Sequence, residues 1–214
     1  MSAAPSLKVD CSGPLFSPEE VGAMQAIAEQ LEKKGMTTFL PHRDGLESWL
    51  MPLSGMPLQD MVPAVRRRVD QAIFALDLYQ LLEECDAIVV NLNGRVPDEG
   101  ALVEASIAWA CDIPVIHYKH DHRAPFAGYD NAMVTGLTRG RSVDSVRRIP
   151  AAVRKACAGH EVSPREPNAE LERTLRAGRR IAQIVRHLPT APAAPGPGHA
   201  VLDKVLEVVD GVQP

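Results

Sequence analysis

The feature that most constrains this chain is the run Asp86-Ala87-Ile88-Val89-Val90-Asn91-Leu92. It is apolar and β-branched without alternation, so it offers no face to water and predicts a strand covered on both sides in the middle of a sheet. Its surroundings supply the rest of such a sheet. Leu7-Lys8-Val9-Asp10-Cys11, closed by Ser12-Gly13-Pro14, reads as a first strand; Thr37-Thr38-Phe39-Leu40, ended by Pro41, reads as a second; Ile113 to Tyr118 reads as a later one. Between them, Ala23, Ile27, Ala28 and Leu31 recur at helical spacing, as do Val65, Val69, Ile73, Leu76 and Leu81, while Ala101 to Cys111 is apolar enough to be a helix packed on a sheet. Strands alternating with helices predict an α/β fold: a parallel sheet flanked by crossover helices.

The first helix has the clearest boundaries. Ser17 is placed to cap it, Pro18 suits its first position, Glu20 completes a capping box, and Gly35 after Lys33-Lys34 stops it. Pro41 to Asp60, rich in proline and glycine, reads as a long loop in which Trp49 and Met51 are candidates for a lid over a ligand or for a hydrophobic plug. Val143 to Cys157 is expected to be helical, and Asn168 to Leu188 to form a basic amphipathic helix. Residues 189–198 read as a Pro/Ala/Gly linker and Ala200 to Val209 as a terminal helix. The expected organisation is an α/β domain over residues 1–160 and a helical extension over 161–214.

Composition excludes several classes. Among 214 residues, 45% are hydrophobic and 23% charged, inside the range of globular domains. The formal charge of −4 favours no nucleic-acid partner, and no apolar run approaches membrane-spanning length. The first residues carry no secretory signal pattern, and Cys11, Cys85, Cys111 and Cys157 are scattered, so a cytoplasmic protein with reduced thiols is expected. His117-x-x-His120-Asp121-His122 has too few ligands nearby for a metal site, and a polar loop with Asp121 and Arg123 paired is the plainer reading. No metal and no organic cofactor is expected. The Arg66-Arg67-Arg68 run and the arginines between Arg173 and Arg186 read as solvated helix faces.

The chemistry is carried by carboxylates. Glu104 lies between Leu102-Val103 and Ala105-Ser106-Ile107-Ala108, where a buried acid without a partner costs several kcal/mol, so it is a candidate for a perturbed pKa and for catalysis; an ion pair with Arg95 or Arg123 is the structural alternative. Asp98 serves either as a helix cap or as a second acid, and Asp77 interrupts an apolar helix face, by exposure or by function.

These residues resemble a known family. Gly13-Pro14-Leu15-Phe16-Ser17, Leu40-Pro41-His42-Arg43-Asp44-Gly45, Asp77 ahead of Asp86-Ala87-Ile88-Val89, Asp98-x-Gly100-x-x-x-Glu104 and Asp130-Asn131 occur in an order similar to nucleoside 2-deoxyribosyltransferases, over about residues 7–136. The resemblance implies a flavodoxin-like (Rossmann-like) core and base exchange on 2-deoxyribose. Glu104 then matches the nucleophile that holds the sugar covalently, and Asp77 and Asp98 match the acids that handle the departing base. Ser12, Gly13, Phe16, Arg43, Asn93 and Gly100 fall at the substrate, with Asn131 near a neighbouring subunit's site in a homo-oligomer. Partners would be a deoxynucleoside or nucleotide and a free nucleobase. Asp10 stands where the family strand offers tyrosine, and Asp77 lies nine residues before Asp86 where eight is commoner. Two alternatives stay open: an N-glycosidase hydrolysing nucleosides or 5-monophosphates, with Ser12, Gly13 and Ser17 at the phosphate, and a nucleotide-binding module without turnover.

Overall fold

The structure is a computed structural model that describes residues 6–47, 63–121, 123, 130–160, 167–187 and 197–211. In chain order its elements are β1 (Lys8–Ser12), α1 (Pro18–Glu32), β2 (Thr37–Phe39), α2 (Pro41–Asp44), α3 (Pro63–Tyr79), a π-helical turn (Gln80–Glu84), β3 (Ala87–Asn91), α4 (Glu99–Ala110), β4 (Val115–Tyr118), α5 (Ala132–Gly136), a 3-10 turn (Val146–Arg148), α6 (Ile149–Cys157), α7 (Ala169–Arg186) and α8 (Pro197–Asp210). These fall into two compact units: residues 1–40 with 81–165, and residues 41–80 with 166–214.

The first unit holds the sheet, whose four strands run parallel in the order β2-β1-β3-β4. β3 is central and every one of its residues is buried, as its uninterrupted apolar sequence requires. Its residues alternate between two cores. Ala87 and Val89 join Val9, Cys11 and Ile116 under Met24, Ile27 and Leu31 of α1 and Ile149 and Val153 of α6. Ile88 and Val90 face Ala101, Ala105 and Ala108 of α4. Burial of each such Val or Ile side chain is worth about 1.5–3 kcal/mol, and a double-sided strand collects it on both faces. Beyond β4, among the described residues, the sheet continues by one bridge, where Val143 donates to the His117 carbonyl (2.7 Å) and accepts from the Lys119 N–H (2.8 Å). α1 begins as its sequence dictates, with Ser17 Oγ accepting from the Glu20 N–H (3.2 Å). It ends at Gly35, whose φ of +78° suits glycine.

The second unit is helical. α7 buries Leu175, Ala177, Gly178, Ile181 and Ala182, and α8 buries Val201, Val205, Leu206 and Val209. At Gly178 the helices approach so closely that a Cβ would lie 2.0 Å from the Ala75 carbonyl oxygen of α3. Arg68 of α3 and Asp210 of α8 form an ion pair.

Three sequence expectations need correction. The loop expected from Pro41 opens instead with the helical turn α2, closed by the Gly45 N–H on the Pro41 carbonyl (2.8 Å), because proline suits a first helical position. Trp49, Met51 and His122 lie outside the described residues. Residues 41–80 group with the C-terminal helices, not with the sheet as a boundary at residue 160 would have them, because α3 carries an apolar face that α7 and α8 cover. The terminal helix starts at Pro197, ahead of the expected Ala200. Among the described residues no helix is long and apolar enough to cross a membrane.

Candidate active site

In a strand, residues two apart share a face. Val9 and Cys11 of β1 enter the core beneath α1 and α6, which leaves Asp10 and Ser12 on the opposite face, paired in register with Ile88 and Val90 of β3. That face is covered by α4. The helix starts where Asp98 Oδ1 accepts the Ala101 N–H (2.7 Å), so Asp98 is an N-cap, the structural one of its two readings. Gly100 sits in the first turn, where a Cβ would lie 3.2 Å from the Asp98 carboxylate. Glu104 lies one turn from both Ala101 and Ala108, on the stripe that meets the sheet.

The consequence is a cluster no sequence motif records. The Ser12 hydroxyl donates to Glu104 Oε2, and Ser12 itself is buried. Asp10 is 2% exposed, and its Oδ1 has no hydrogen-bond partner. Burial first, then the negative charge of Glu104, pushes the Asp10 carboxyl well above the usual carboxylate range, with Lys8 opposing. Two neighbouring carboxyls in low dielectric do not both ionise cheaply. The hydroxyl donated to Glu104 stabilises an anion there, while burial and the neighbouring charge disfavour one on Asp10. Glu104 is half-buried, not enclosed, so its carboxylate pairs protection with access. Its partner is Ser12, and the expected alternative partner Arg123 instead forks onto Asp121 (2.9 Å from Nε to Oδ2). This fork holds the Asp121 carboxyl well below its ordinary value.

At the carboxyl ends of the strands the backbone is tied down by amides and one buried ion pair. Asn93 Oδ1 accepts from the N–H groups of His120 (2.7 Å) and Asp121 (2.8 Å). Lys119 Nζ bonds Asp130 (2.9 Å) and the Leu92 carbonyl (3.0 Å). Asn93, His120, Asp121 and Arg123 line an open cavity of about 680 Å³. Gly13 follows Ser12 where a Cβ would come within 2.7 Å of Met24 Sδ and 2.8 Å of Asn91 Cβ, so only glycine lets the end of β1 lie this close to β3.

The other expected residues are placed less centrally. Phe16 is 83% exposed beside the start of α1. Asn131 is the N-cap of α5, accepting the Met133 N–H (2.9 Å). Arg43 is forked onto Asp44 (2.8 Å); it and the half-buried Asp77 belong to the second unit. His117 is an interior residue of β4 whose Nδ1 meets the Thr138 hydroxyl (3.2 Å), and among the described residues no cluster of three metal-ligating groups occurs. Sequence reasoning missed Asp10 as a site residue. The usable signal was its spacing from Ser12 on a strand next to the most apolar one in the chain.

Comparison with known proteins gives the fold and the family. No curated protein matches the chain. Among solved structures, a conserved protein from Enterococcus faecalis V583 is similar, at 21% identity and a TM-score of 0.50, over 71% of this chain and 99% of that one, which establishes the shared α/β fold. Residues 11–144, which include Ser12, Asp98, Glu104 and Asn131, match the family described as nucleoside 2-deoxyribosyltransferase, and the chain belongs to that family.

Proposed function

We propose that the protein exchanges nucleobases on 2-deoxyribose by double displacement through Glu104. The observation that carries this reading is the Ser12–Glu104 hydrogen bond beside a buried Asp10 whose carboxyl burial pushes above the usual range. A half-exposed carboxylate, oriented by one hydroxyl and spared a second negative charge, suits attack on an anomeric carbon. In the first half-reaction a Glu104 oxygen bonds C1′ while the C1′–N bond breaks, its electron pair and a proton going to the departing base. In the second, a nitrogen of the acceptor base attacks C1′, expels the Glu104 carboxylate and sheds its proton. Asp98 and Asp77 are the further carboxyls that the family resemblance assigns to the base; Asp98 has one oxygen committed to its helix cap.

The start of α1 favours nucleosides over 5′-phosphates as donors. Ser17 Oγ accepts the Glu20 N–H there, and the Glu20 carboxylate folds back to accept the N–H of Phe16, ahead of the helix (2.9 Å). A carboxylate already seated there repels a phosphate.

The test is thymidine incubated with adenine and separated by chromatography. Deoxyadenosine should accumulate with matching thymine, and intact-mass measurement without acceptor should find the sugar on Glu104. Thymine released equally with and without adenine, and no deoxyadenosine, would replace transfer by hydrolysis. No release with any deoxynucleoside would leave a binding protein.

A further inference from the structure

We propose that a cavity at the open edge of β4 binds an organic anion, a phosphate or carboxylate group carried on a flat, apolar-faced body. The cavity has a volume of about 600 Å³, within the range that holds a small organic ligand. None of Asp10, Ser12, Asp98 or Glu104 lines it, so it is not the site described above.

Its charge is the first reason. Arg139, Arg141 and Lys155 line the cavity against the single carboxylate of Asp112, in a chain whose formal charge is −4. Asp112 Oδ1 lies 3.9 Å from His160 Nε2. Arg141 Nε bonds the Thr138 carbonyl (3.2 Å), which fixes its guanidinium at the rim. The side chains of Arg139 and Lys155 make no hydrogen bond or ion pair among the described residues. Three cations against one carboxylate at a concavity select an anion.

The remaining wall supplies the other half of the ligand. Trp109 lines the cavity and is 60% exposed, so the described residues leave much of its aromatic surface uncovered. Ile113, Pro114 and Leu137 add apolar surface. His117, also in the lining, is 3% exposed, yet its Nε2 has no hydrogen-bond partner. Thr138 occupies the other ring nitrogen. With that hydroxyl donating, the neutral ring keeps its proton on Nε2 as a donor.

Backbone strain gathers here too. Among the described residues, the non-glycine residues with positive φ are Asp112 (56°) and Arg139 (55°), and both line this cavity. Such conformations persist where the surroundings enforce them, and they recur at ligand sites.

The experiment reads Trp109 directly. The chain has two tryptophans, so Trp49→Phe leaves Trp109 as the sole reporter. Adenosine 5′-monophosphate, which joins a phosphate to a flat base, should quench its fluorescence saturably, and adenosine should bind about tenfold or more weakly for lack of the charge-assisted contacts. Arg139→Gln with Lys155→Gln, both exposed positions, should weaken the nucleotide by about tenfold or more, whereas Glu104→Gln and Ser12→Ala should leave its affinity unchanged. The proposal is overturned by equal affinity for nucleotide and nucleoside, by an unchanged affinity in the double variant, or by the absence of any nucleotide-dependent signal. It is overturned equally if sedimentation finds a second copy of the chain covering Trp109.

Discussion

Glu104 and Trp109 stand on the same helix and meet opposite surroundings. Glu104 turns toward β1, where acids gather: one carboxylate accepts a serine hydroxyl and the other, Asp10, is buried with an oxygen unsatisfied. Trp109 turns toward the edge of β4, where the charges are cationic and exposed. The acid side is built from strand residues whose positions the sheet fixes, so its electrostatics come from burial. The cationic side is built from turns and a helix surface, so its electrostatics come from the number of charges. Substitutions should therefore act through pKa values and geometry on the first side and through salt-sensitive attraction on the second. The largest effect that sharpens this contrast is on catalysis. Glu104→Gln keeps the Ser12 contact in shape but removes the nucleophile, and base exchange measured by chromatography should fall by about a thousandfold or more. A residual rate within tenfold of the parent would take Glu104 out of the reaction.

The two sides also differ in how far they could be read from sequence. The α4 signature Asp98-x-Gly100-x-x-x-Glu104 is local, and it brought out the cap, the glycine and the acid bonded to Ser12 together. Asp10 was hidden because an acid in a short strand reads as exposed until the strand order places β1 between β2 and β3. Strand order is set by packing and not by local pattern. α4 is apolar on almost every side, unlike the amphipathic α7, so its sequence does not tell which face meets the sheet. The same holds for His117: in sequence it joins a polar string with His120 and Asp121, and only the alternation of β4 puts it inside. The cap at Ser17 and the breaker at Gly35 were legible because each acts within one turn of chain.

That interior histidine gives the next largest effect, an acid lability located at the β4 edge. Burial lowers the His117 pKa from 6.5 to about 4. Between those values the unfolded chain binds a proton that the folded chain refuses, so stability is complete above 6.5 and is lost as pH falls toward 4. The full loss is about 3 kcal/mol. His117→Gln removes that titration, and urea melts at pH 7 and pH 4.5 should differ less for the variant than for the parent. An equal pH sensitivity would mean that the acid response comes from elsewhere.

Glycines then separate geometry from charge at the two sides. Gly13→Ala drives a Cβ to 2.7 Å from Met24 Sδ and 2.8 Å from Asn91 Cβ, an overlap that should cost about 1–3 kcal/mol and displace Ser12 from Glu104. Gly140, between Arg139 and Arg141, has open space around it and only a φ of +73° to defend. Its alanine variant should lose about 1 kcal/mol, from backbone strain alone. Base exchange should follow Gly13→Ala and ignore Gly140→Ala. Equal destabilisation in denaturant would mean that the end of β1 is no more tightly packed than the β4 edge.

The smallest expected effect bears most directly on what the acid side is. Asp10→Asn replaces a buried carboxyl by an amide of nearly the same shape. Near the ordinary carboxylate value of 3.8, parent and variant are both close to neutral at this position and should be similarly stable. As pH rises, the unfolded parent gives up its proton freely while the folded parent is held back by burial and by Glu104. The raised folded pKa therefore means stability that is complete below 3.8 and falls as pH climbs toward that higher value. The asparagine variant escapes this loss, so its unfolding free energy should exceed the parent's by a margin that widens from pH 4 to pH 8, on the order of 1 kcal/mol at neutrality. A margin that stays flat would put the proton on Glu104 and leave the nucleophile neutral in the resting protein. A margin that widens, with base exchange losing its dependence on pH in the same range, would tie the proton on Asp10 to the charge that attacks the sugar.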